Sequence, residues 1–208
     1  MTSAFRQRLL MCIAVAFSIL LADQILKIWV KTTFLYGEEL HVFGNWFILH
    51  FTENNGMAFG LEFGGTMGKI LLSLFRIAAV LAIGWFILKL IRQGAPKGLL
   101  VSMSMIFAGA FGNIIDSLFY GILFSESFID RVAEFMPAEG GYAPLLYGKV
   151  VDMLYFPIIK GYIPDWMPFW KSEYFIFFRP VFNIADSAIT CGIAIILLFQ
   201  KKFFTYFN

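Results

Sequence analysis

Four aspartates stand within or beside long apolar stretches of this sequence, a setting in which a carboxyl group requires a physical explanation. They are Asp23, Asp116, Asp152 and Asp186. A charged side chain in hydrocarbon is unfavourable, so such a residue usually has a charged partner or a functional role. Asp23 precedes Lys27 by four residues, a spacing that places both side chains on one face of a helix, and we expect a structural ion pair. Asp116 follows Asn113 by about one helical turn, and we expect it to brace the packing of the helices.

Asp152 and Asp186 differ from the other two because neither has an obvious cationic partner. Two carboxyl groups brought together in a low-dielectric layer cannot both ionise, so one of them keeps its proton. The ionised group can then take a proton from water while the acid protonates a carbonyl oxygen, which is the chemistry of aspartic proteases. Spacing alone also permits a structural role for both residues.

Other catalytic and metal-binding patterns are missing from the sequence. It contains no GxSxG, HExxH, Walker A or GxGxxG segment. His41 and His50 are the only histidines, and neither has a carboxylate, serine or cysteine at a recognisable offset. Cys12 and Cys191 lie in separate apolar runs, where a free cysteine behaves as a small hydrophobic residue. We therefore expect no metal, no cofactor and no disulfide framework.

The composition indicates the environment in which these acids lie. Of the 208 residues, 60% are hydrophobic and 14% are charged, against about 45–50% and about 25% in soluble domains. A soluble fold of this size would expose too many apolar side chains, and a disordered chain would contain far fewer. A net charge of +2 gives no strong field for binding nucleic acid. The sequence therefore predicts an integral membrane protein.

Four stretches are long and apolar enough to cross a bilayer as helices, at about residues 9–30, 70–91, 98–120 and 181–199. Arg6 and Arg8 followed by the apolar residues 9–22 also resemble a cleaved signal peptide. The apolar character resumes at 25–30, which favours a retained helix. Small residues in the third stretch are typical of closely packed membrane helices.

The distribution of charge predicts the orientation. Four spans place both termini and the turn at 93–96 on one side, and this side has basic residues but no acids. The basic residues are Arg6, Arg8, Lys89, Arg92, Lys97, Lys201 and Lys202. The positive-inside rule then predicts cytoplasmic termini, with the segments at about 31–69 and 121–179 on the outer face.

These observations predict an all-α membrane protein consisting of a single membrane domain over residues 1–208. Its four transmembrane helices are joined by a small outer-face β element, which begins near Trp46, and by an aromatic, interfacial lid segment at 121–179. From the rise per helical residue, all four aspartates are expected at one depth, in the outer leaflet.

Five short segments carry a resemblance to a known family. They are Asp23-Gln24-Ile25-Leu26-Lys27, Asn54-Asn55-Gly56-Met57-Ala58-Phe59, Gly109-Ala110-Phe111-Gly112-Asn113-Ile114-Ile115-Asp116, Val150-Val151-Asp152 and Phe182-Asn183-Ile184-Ala185-Asp186. In this order, the five resemble the lipoprotein signal peptidases (signal peptidase II), which are bacterial intramembrane aspartic proteases. The resemblance covers nearly the whole chain.

The resemblance implies a catalytic pair at Asp152 and Asp186. It also implies supporting or substrate-binding roles for Asp23, Lys27, Asn54, Gly56, Asn113, Asp116, Asn183 and Ala185. Family members cut prolipoproteins just before a diacylglyceryl-modified cysteine in the cytoplasmic (inner) membrane, and they need no metal or cofactor. We accordingly expect a prolipoprotein substrate, membrane lipids as further partners, and a monomer.

Two features depart from the family pattern. The family usually has an arginine directly after the aspartate of its Gly-Asn-x-x-Asp motif, whereas Ser117 occupies that position here. Arg131 and Arg179 are candidates to replace it. The connections on either side of Asp152 are also longer than is common, which predicts a larger outer lid.

The alternative from another functional class is a proton- or cation-coupled transporter that uses intramembrane aspartates. A relay of that kind needs acids spread across the depth of the bilayer. The aspartates here are expected in one outer layer, which favours the peptidase.

Overall fold

The computed structural model describes residues 3–55, 65–157, 159–162, 174–177 and 180–205. Its helices are α1 (Ser3–Thr33), α2 (Gly65–Gln93), α3 (Lys97–Ile115), α4 (Gly121–Leu123), α5 (Ile184–Leu198) and α6 (Gln200–Phe204). A π-helical turn at Asp116–Tyr120 joins α3 to α4. The strands are β1 (Glu39–Phe43), β2 (Phe47–Asn54), β3 (Val150–Tyr155), β4 (Ile159–Tyr162), β5 (Tyr174–Phe177) and β6 (Val181–Phe182).

Three helices of the described chain are long and apolar enough to cross a membrane: Ser3–Thr33, Met67–Gln93 and Lys97–Leu123. α5 is also apolar but has only 15 residues, which corresponds to about 22 Å. The predicted stretches thus all contain helix, with different limits. The first two helices extend beyond the apolar stretches into polar residues at their ends, because helical hydrogen bonding does not depend on hydropathy. α5 begins later than predicted because Asn183 caps it.

Close packing around α3 brings the other helices together. α3 contacts α5, α1 and α2. A Cβ atom at Gly109 would collide with the carbonyl oxygen of Ala185, and one at Gly112 would lie 2.9 Å from Asp23 Oδ2. The small residues predicted to permit close approach therefore do so at the contacts that surround the acids.

A four-stranded antiparallel sheet, in the order β1-β2-β3-β6, lies beside these helices. Sequence analysis predicts one β element near Trp46, and β2 is that element. It does not predict β3, which pairs with β2 so that Thr52 is opposite Asp152. β3 has four successive buried residues from Val150 to Met153, so it lacks the alternation that identifies a half-exposed strand.

Two apolar clusters mark opposite ends of the helices. The first contains Cys12, Ile87, Leu90, Ile91, Ala95, Leu99, Leu100 and Phe203. The second contains Val30, Phe34, Leu49, Phe51, Tyr120, Phe124, Val151 and Met153, and it joins the sheet to α1 and to the end of α3. Arg8 Nη1 donates a hydrogen bond to the carbonyl oxygen of Ala95 at 2.8 Å. The start of α1, the turn between α2 and α3, and α6 therefore lie at one end, and the sheet lies at the other.

Candidate active site formed by an acid pair

Asp152 lies in the middle of β3, and its side chain is almost completely buried. Both of its carboxyl oxygens accept hydrogen bonds from neutral amides. Asn183 Nδ2 lies 2.8 Å from Oδ1, and Asn54 Nδ2 donates to Oδ2 from the neighbouring strand β2. The pairing of two strands therefore holds this carboxyl group in place.

Asp186 lies in the first turn of α5 and is half-buried. Its backbone N–H donates to Oδ1 of Asn183 at 2.8 Å, so Asn183 is the N-cap of this helix. Its own Oδ1 accepts a hydrogen bond from Asn113 Nδ2, also at 2.8 Å. Asp186 is thus held by Asn183 and Asn113 at the first turn of α5.

One asparagine connects the two aspartates, which we call the acid pair. Asn183 is fully buried, donates through Nδ2 to Asp152, and accepts through Oδ1 from the backbone of Asp186. An amide side chain offers both donors and an acceptor, so it can bind a carboxyl group and cap a helix at the same time. The relative position of the acid pair is thus set by the residue that begins α5.

Lys27 lies between two further carboxylates in a group that we call the ion-pair triad. Lys27 Nζ is 2.8 Å from Asp23 Oδ2 and 2.7 Å from Asp116 Oδ2, and all three side chains are at most 1% exposed. The predicted ion pair between Asp23 and Lys27 is therefore present. Asp116, at the end of α3, shares the same lysine, so the triad joins α1 to the end of α3.

The ion-pair triad is hydrogen-bonded to the backbone next to each member of the acid pair. Asp23 Oδ1 accepts from the N–H of Ala185, at 2.9 Å, and Asp116 Oδ2 accepts from the N–H of Val151, at 3.3 Å. Each of these N–H groups belongs to the residue directly before one aspartate of the acid pair. The triad therefore links α1 and α3 to both elements that carry the pair.

Lys27 also determines the orientation of Asn113. Lys27 Nζ donates to Asn113 Oδ1 at 3.0 Å, and Asn183 donates to the same oxygen at 3.1 Å. When the oxygen of a side-chain amide accepts hydrogen bonds in one direction, its NH₂ group points in a different direction. Asn113 Nδ2 consequently points to Asp186.

The surroundings of Asp152 favour its protonated form. Burial, and then the negative charge of Asp186, raise the pKa of Asp152 to about 7, although the charge of Lys27 and the hydrogen bonds from Asn54 and Asn183 act in the opposite direction. Desolvation penalises the charged form of a carboxyl group, and a second carboxylate nearby adds to that penalty. The acid pair can therefore hold one proton near neutral pH.

Most of the residues predicted to belong to the site lie in this network, and Gly56 lies outside the described residues. The acid pair is surrounded by Asp23, Lys27, Asn54, Asn113, Asp116, Asn183 and Ala185. Of the candidates to replace the family arginine, Arg131 is exposed and stacks on the ring of Phe128, and Arg179 lies outside the described residues. Ser117 itself is buried and donates to the carbonyl oxygen of Asn113 at 3.0 Å.

Sequence analysis misses two residues of this region, Gln24 and Arg76. Gln24 Nε2 donates to Asp116 Oδ1 at 3.0 Å. Arg76 of α2 interacts electrostatically with Asp186, Asp116 and Asp152. An arginine within an apolar stretch is as unfavourable as an aspartate, and this signal identifies Arg76 as a residue that requires an explanation.

No three His, Cys, Asp or Glu side chains are arranged to hold a metal ion in the part of the chain that the structure describes. The carboxylates of Asp23 and Asp116 lie on either side of Lys27, whose ammonium group occupies the space between them.

Long apolar helices and two carboxyl groups joined by one asparagine define a class of protein, the multi-pass membrane proteins with a site formed by an acid pair. Comparison with known proteins identifies the family. The model of the signal peptidase II family matches residues 15–202. The chain therefore belongs to the signal peptidase II family and is a bacterial membrane peptidase.

Curated relatives and solved structures agree with this assignment. A lipoprotein signal peptidase of Porphyromonas gingivalis is 49% identical over 181 residues, which cover 86% of this chain and 78% of that protein. One of Amoebophilus asiaticus is 41% identical over 182 residues, with coverages of 86% and 72%. Two solved structures of a bacterial membrane enzyme have the same fold, with TM-scores of 0.58 and 0.57 at 23% and 24% identity. They cover 92% and 90% of this chain, and 87% and 90% of their own. None of these findings supports a transporter.

Proposed function

We propose that this chain is an aspartic endopeptidase that removes the signal peptide from diacylglyceryl-modified prolipoproteins, with Asp152 and Asp186 as the catalytic pair. The family and the names of the relatives support the prolipoprotein substrate. The observation that carries the catalytic assignment is the position of Asn183, whose one amide group binds both aspartates.

Asp152 serves as the protonated acid of the pair, and Asp186 serves as its base. Asp186 lies in the first turn of α5, where its backbone N–H is capped by Asn183 and its side chain accepts a hydrogen bond from Asn113. Asp152 is more deeply buried, and its pKa of about 7 favours the acid at neutral pH. Two carboxyl groups in different environments can thus divide the roles of base and acid.

Peptide hydrolysis then follows from these two protonation states. Asp186 takes a proton from a water molecule as the water oxygen attacks the scissile carbonyl carbon, and Asp152 donates its proton to the carbonyl oxygen. This step gives a tetrahedral diol. The C–N bond breaks as Asp186 passes its proton to the leaving nitrogen and Asp152 recovers a proton from one hydroxyl group. The products are the carboxyl end of the signal peptide and a free amino group on the lipid-modified cysteine.

The asparagines hold the acid pair without supplying charge. Asn54 and Asn183 donate to Asp152, and Asn113 donates to Asp186. Neutral donors fix the positions of the carboxyl oxygens but, unlike a lysine, do not keep both groups ionised. The ion-pair triad acts as scaffold, because its carboxylates bind the backbone N–H groups directly before each member of the acid pair.

We further propose that α5 is the fourth transmembrane helix, that both termini are cytoplasmic, and that the acid pair works near the outer face. The hydrogen bond from Arg8 to Ala95 supports a common location for the basic ends of the helices, opposite the sheet. Exposed apolar residues in the 121–149 segment, including Phe128, Ile129 and Met136, support its insertion into the membrane interface as a lid. We also propose that the protein acts as a monomer in contact with membrane lipids.

The catalytic assignment is tested by comparing wild type with Asp152→Asn, Asp186→Asn and the control Asp130→Asn, which changes an exposed aspartate. Each purified variant is assayed on a diacylglyceryl-modified prolipoprotein. We expect either active-site change to lower kcat/KM by roughly 10²–10⁴-fold or more, with unfolding in detergent close to that of the control. Near wild-type turnover by Asp152→Asn contradicts the assignment. A substrate with serine at the lipid-modified position tests whether the lipid is required.

The topology is tested by labelling single cysteines in a background in which Cys12 and Cys191 are alanine. Gln93→Cys reports on the short turn, and Glu139→Cys reports on the lid. These positions are preferable to Gly94 and Gly140, whose φ angles of 77° and 91° would strain any other residue. An impermeant reagent added outside should modify only Glu139→Cys, and the reverse pattern contradicts the proposal.

A further inference from the structure

Lys31, in the last turn of α1, lies in a buried cluster that joins this helix to the sheet and to the segment after α4. Its Nζ forms an ion pair with Glu53 Oε1 of β2 and donates to Ser127 Oγ at 2.8 Å. The Lys31 side chain has no exposed surface, and that of Glu53 is 2% exposed. The rings of Tyr142 and Phe124 lie 5.1 and 5.5 Å from Nζ, within the distance at which an aromatic face attracts a cation. Four segments of the chain therefore meet at this lysine.

Glu53 connects the buried cluster to the acid pair through β2. It directly precedes Asn54, whose Nδ2 donates to Asp152 Oδ2. It also pairs across the sheet with Val151, which directly precedes Asp152. Successive side chains of a strand point to opposite faces, and here the side chain of Glu53 binds Lys31 while that of Asn54 binds Asp152. The ion pair therefore holds the strand at the residue next to Asn54.

The ladder between β2 and β3 is interrupted just before these residues. Leu49 is opposite Leu154 but Thr52 is opposite Asp152, so β2 contains one extra residue between the two pairs. A bulge of this kind changes the direction of the strand and the aim of the side chains that follow it. Asn54 is also the last residue of β2. The first part of the ladder therefore does not set the position of Asn54, and contacts at the end of the strand must do so.

We propose that Lys31 and Glu53 are positioning residues that act through Asn54, because their ion pair fixes the end of β2 where the amide of Asn54 reaches Asp152. This inference rests on the proposed function. A buried ion pair constrains the relative position of its two groups, whereas apolar contacts permit small shifts. A displacement of about 1 Å at an active site lowers turnover by roughly two orders of magnitude. The pair therefore contributes to the chemical step and not to stability alone.

The inference is tested by combining Lys31→Met with Glu53→Leu in the purified full-length enzyme. The double variant has no unpaired charge at this site, so it should fold. The matched control combines Lys149→Met with Glu126→Leu. It makes the same changes in an ion pair whose side chains are 32% and 48% exposed and whose lysine lies over the same Tyr142 ring. The measurements are kcat and KM for a diacylglyceryl-modified prolipoprotein, and thermal unfolding in detergent.

We expect the double variant of Lys31 and Glu53 to unfold close to the control but to have a kcat lower by roughly 10–100-fold. KM should change by less than about threefold, because an interaction that aligns catalytic groups affects the transition state more than substrate binding. The control should match wild type in both constants. Glu53→Gln keeps the size and the hydrogen-bond acceptor of Glu53, and it replaces the double variant, with a smaller loss of kcat expected, if the double variant does not fold.

Adding Asn54→Ala shows whether the effect passes through the amide. Without that amide the ion pair has nothing to position, so removing Lys31 and Glu53 should then lower kcat by much less than it does in wild type. Residues that act through one another are non-additive in this way. Single-turnover assays with excess enzyme measure the low rates of these variants.

Four results would overturn the inference. A wild-type kcat in the folded double variant would make the ion pair purely structural, and a change in KM alone would place it in substrate binding. An equal loss of kcat in the control would show that burial of the pair is irrelevant. A full, independent loss on top of Asn54→Ala would show that the pair does not act through Asn54. Failure of the proposed function is recognised separately, by turnover that persists in Asp152→Asn or Asp186→Asn.

Discussion

The ion-pair triad and the acid pair contain the same kind of residue at the same end of the molecule, yet their partners differ. The carboxylates of Asp23 and Asp116 share a lysine at less than 3 Å. Asp152 and Asp186 are instead held by the amides of asparagines. A carboxylate that contacts a buried lysine is fixed in place by charge as well as by hydrogen bonds. One that is held by neutral donors can change its protonation state, which acid–base chemistry requires.

The two groups nevertheless depend on each other. The carboxylates of the triad bind the N–H groups of Val151 and Ala185, each directly before a member of the acid pair. The triad also orients Asn113 through Lys27. The triad can thus hold the two carboxyl groups of the acid pair in position through the backbone and Asn113, without placing a cation in contact with either of them.

The largest effect is expected from removing the lysine of the triad. Lys27→Met leaves two fully buried carboxylates without their cation, which at such sites lowers the free energy of unfolding by about 3–5 kcal/mol. Combining Lys27→Met with Asp116→Asn should recover part of that loss, because the double variant leaves one buried carboxylate without a cation instead of two. Thermal unfolding in detergent measures both. Equal stability of wild type and Lys27→Met would contradict the distinction between scaffold and site.

A second prediction concerns the pH dependence of stability. Because the pKa of Asp152 is about 7 in the native protein and about 3.9 in an unfolded chain, the native state binds this proton more tightly. Its contribution to stability is therefore fully present below about pH 4 and is lost as the pH rises through about 7, by at most about 1.4 kcal/mol per unit. Melting temperatures between pH 5 and 8 should fall more steeply for wild type than for Asp152→Asn. Parallel curves would mean that Asp152 is not protonated at neutral pH.

A third prediction separates the two roles of Asn183. Serine is a good helix N-cap but lacks the NH₂ group that binds Asp152, whereas alanine lacks both functions. Asn183→Ala should lose about 1 kcal/mol more stability than Asn183→Ser, while both variants lose most of their peptidase activity. Turnover assays and thermal unfolding measure the two properties independently. Full turnover by Asn183→Ser would show that the amide is not needed to position the acid pair.

The smallest effect is expected from an ion pair exposed to water. Lys149 Nζ lies 3.0 Å from Glu126 Oε1, and the side chains are 32% and 48% exposed. Glu126→Gln should change the free energy of unfolding by less than about 1 kcal/mol, and less still at high salt, because water and ions screen the pair. A loss similar to that of Lys27→Met would mean that burial does not distinguish the two ion pairs.

The parts of the fold that the sequence predicts are those that depend on neighbours along the chain. Hydrophobic length locates α1, α2, α3 and α5, because a helix satisfies its own backbone hydrogen bonds within lipid. The spacing of Asp23 and Lys27 predicts their ion pair for the same reason. The predicted stretches do not match the helix ends. The first residue of α5, for example, is set by the N-cap Asn183 and not by hydropathy.

The sequence by itself determined the membrane class and the approximate positions of the long apolar helices, and the five family segments named most of the side chains that the structure brings together around the acid pair. Only the tertiary structure decided how those side chains are divided between scaffold and acid pair. Lys27 acquires a second carboxylate from Asp116, 89 positions away, and β3 pairs with β2 to bring Asn54 to Asp152. These contacts join residues that are far apart in the chain, and their geometry arises from close packing at glycines such as Gly109 and Gly112. The protonation state of a carboxyl group depends on burial and on the nearest charges, and both exist only once the helices and the sheet are packed together.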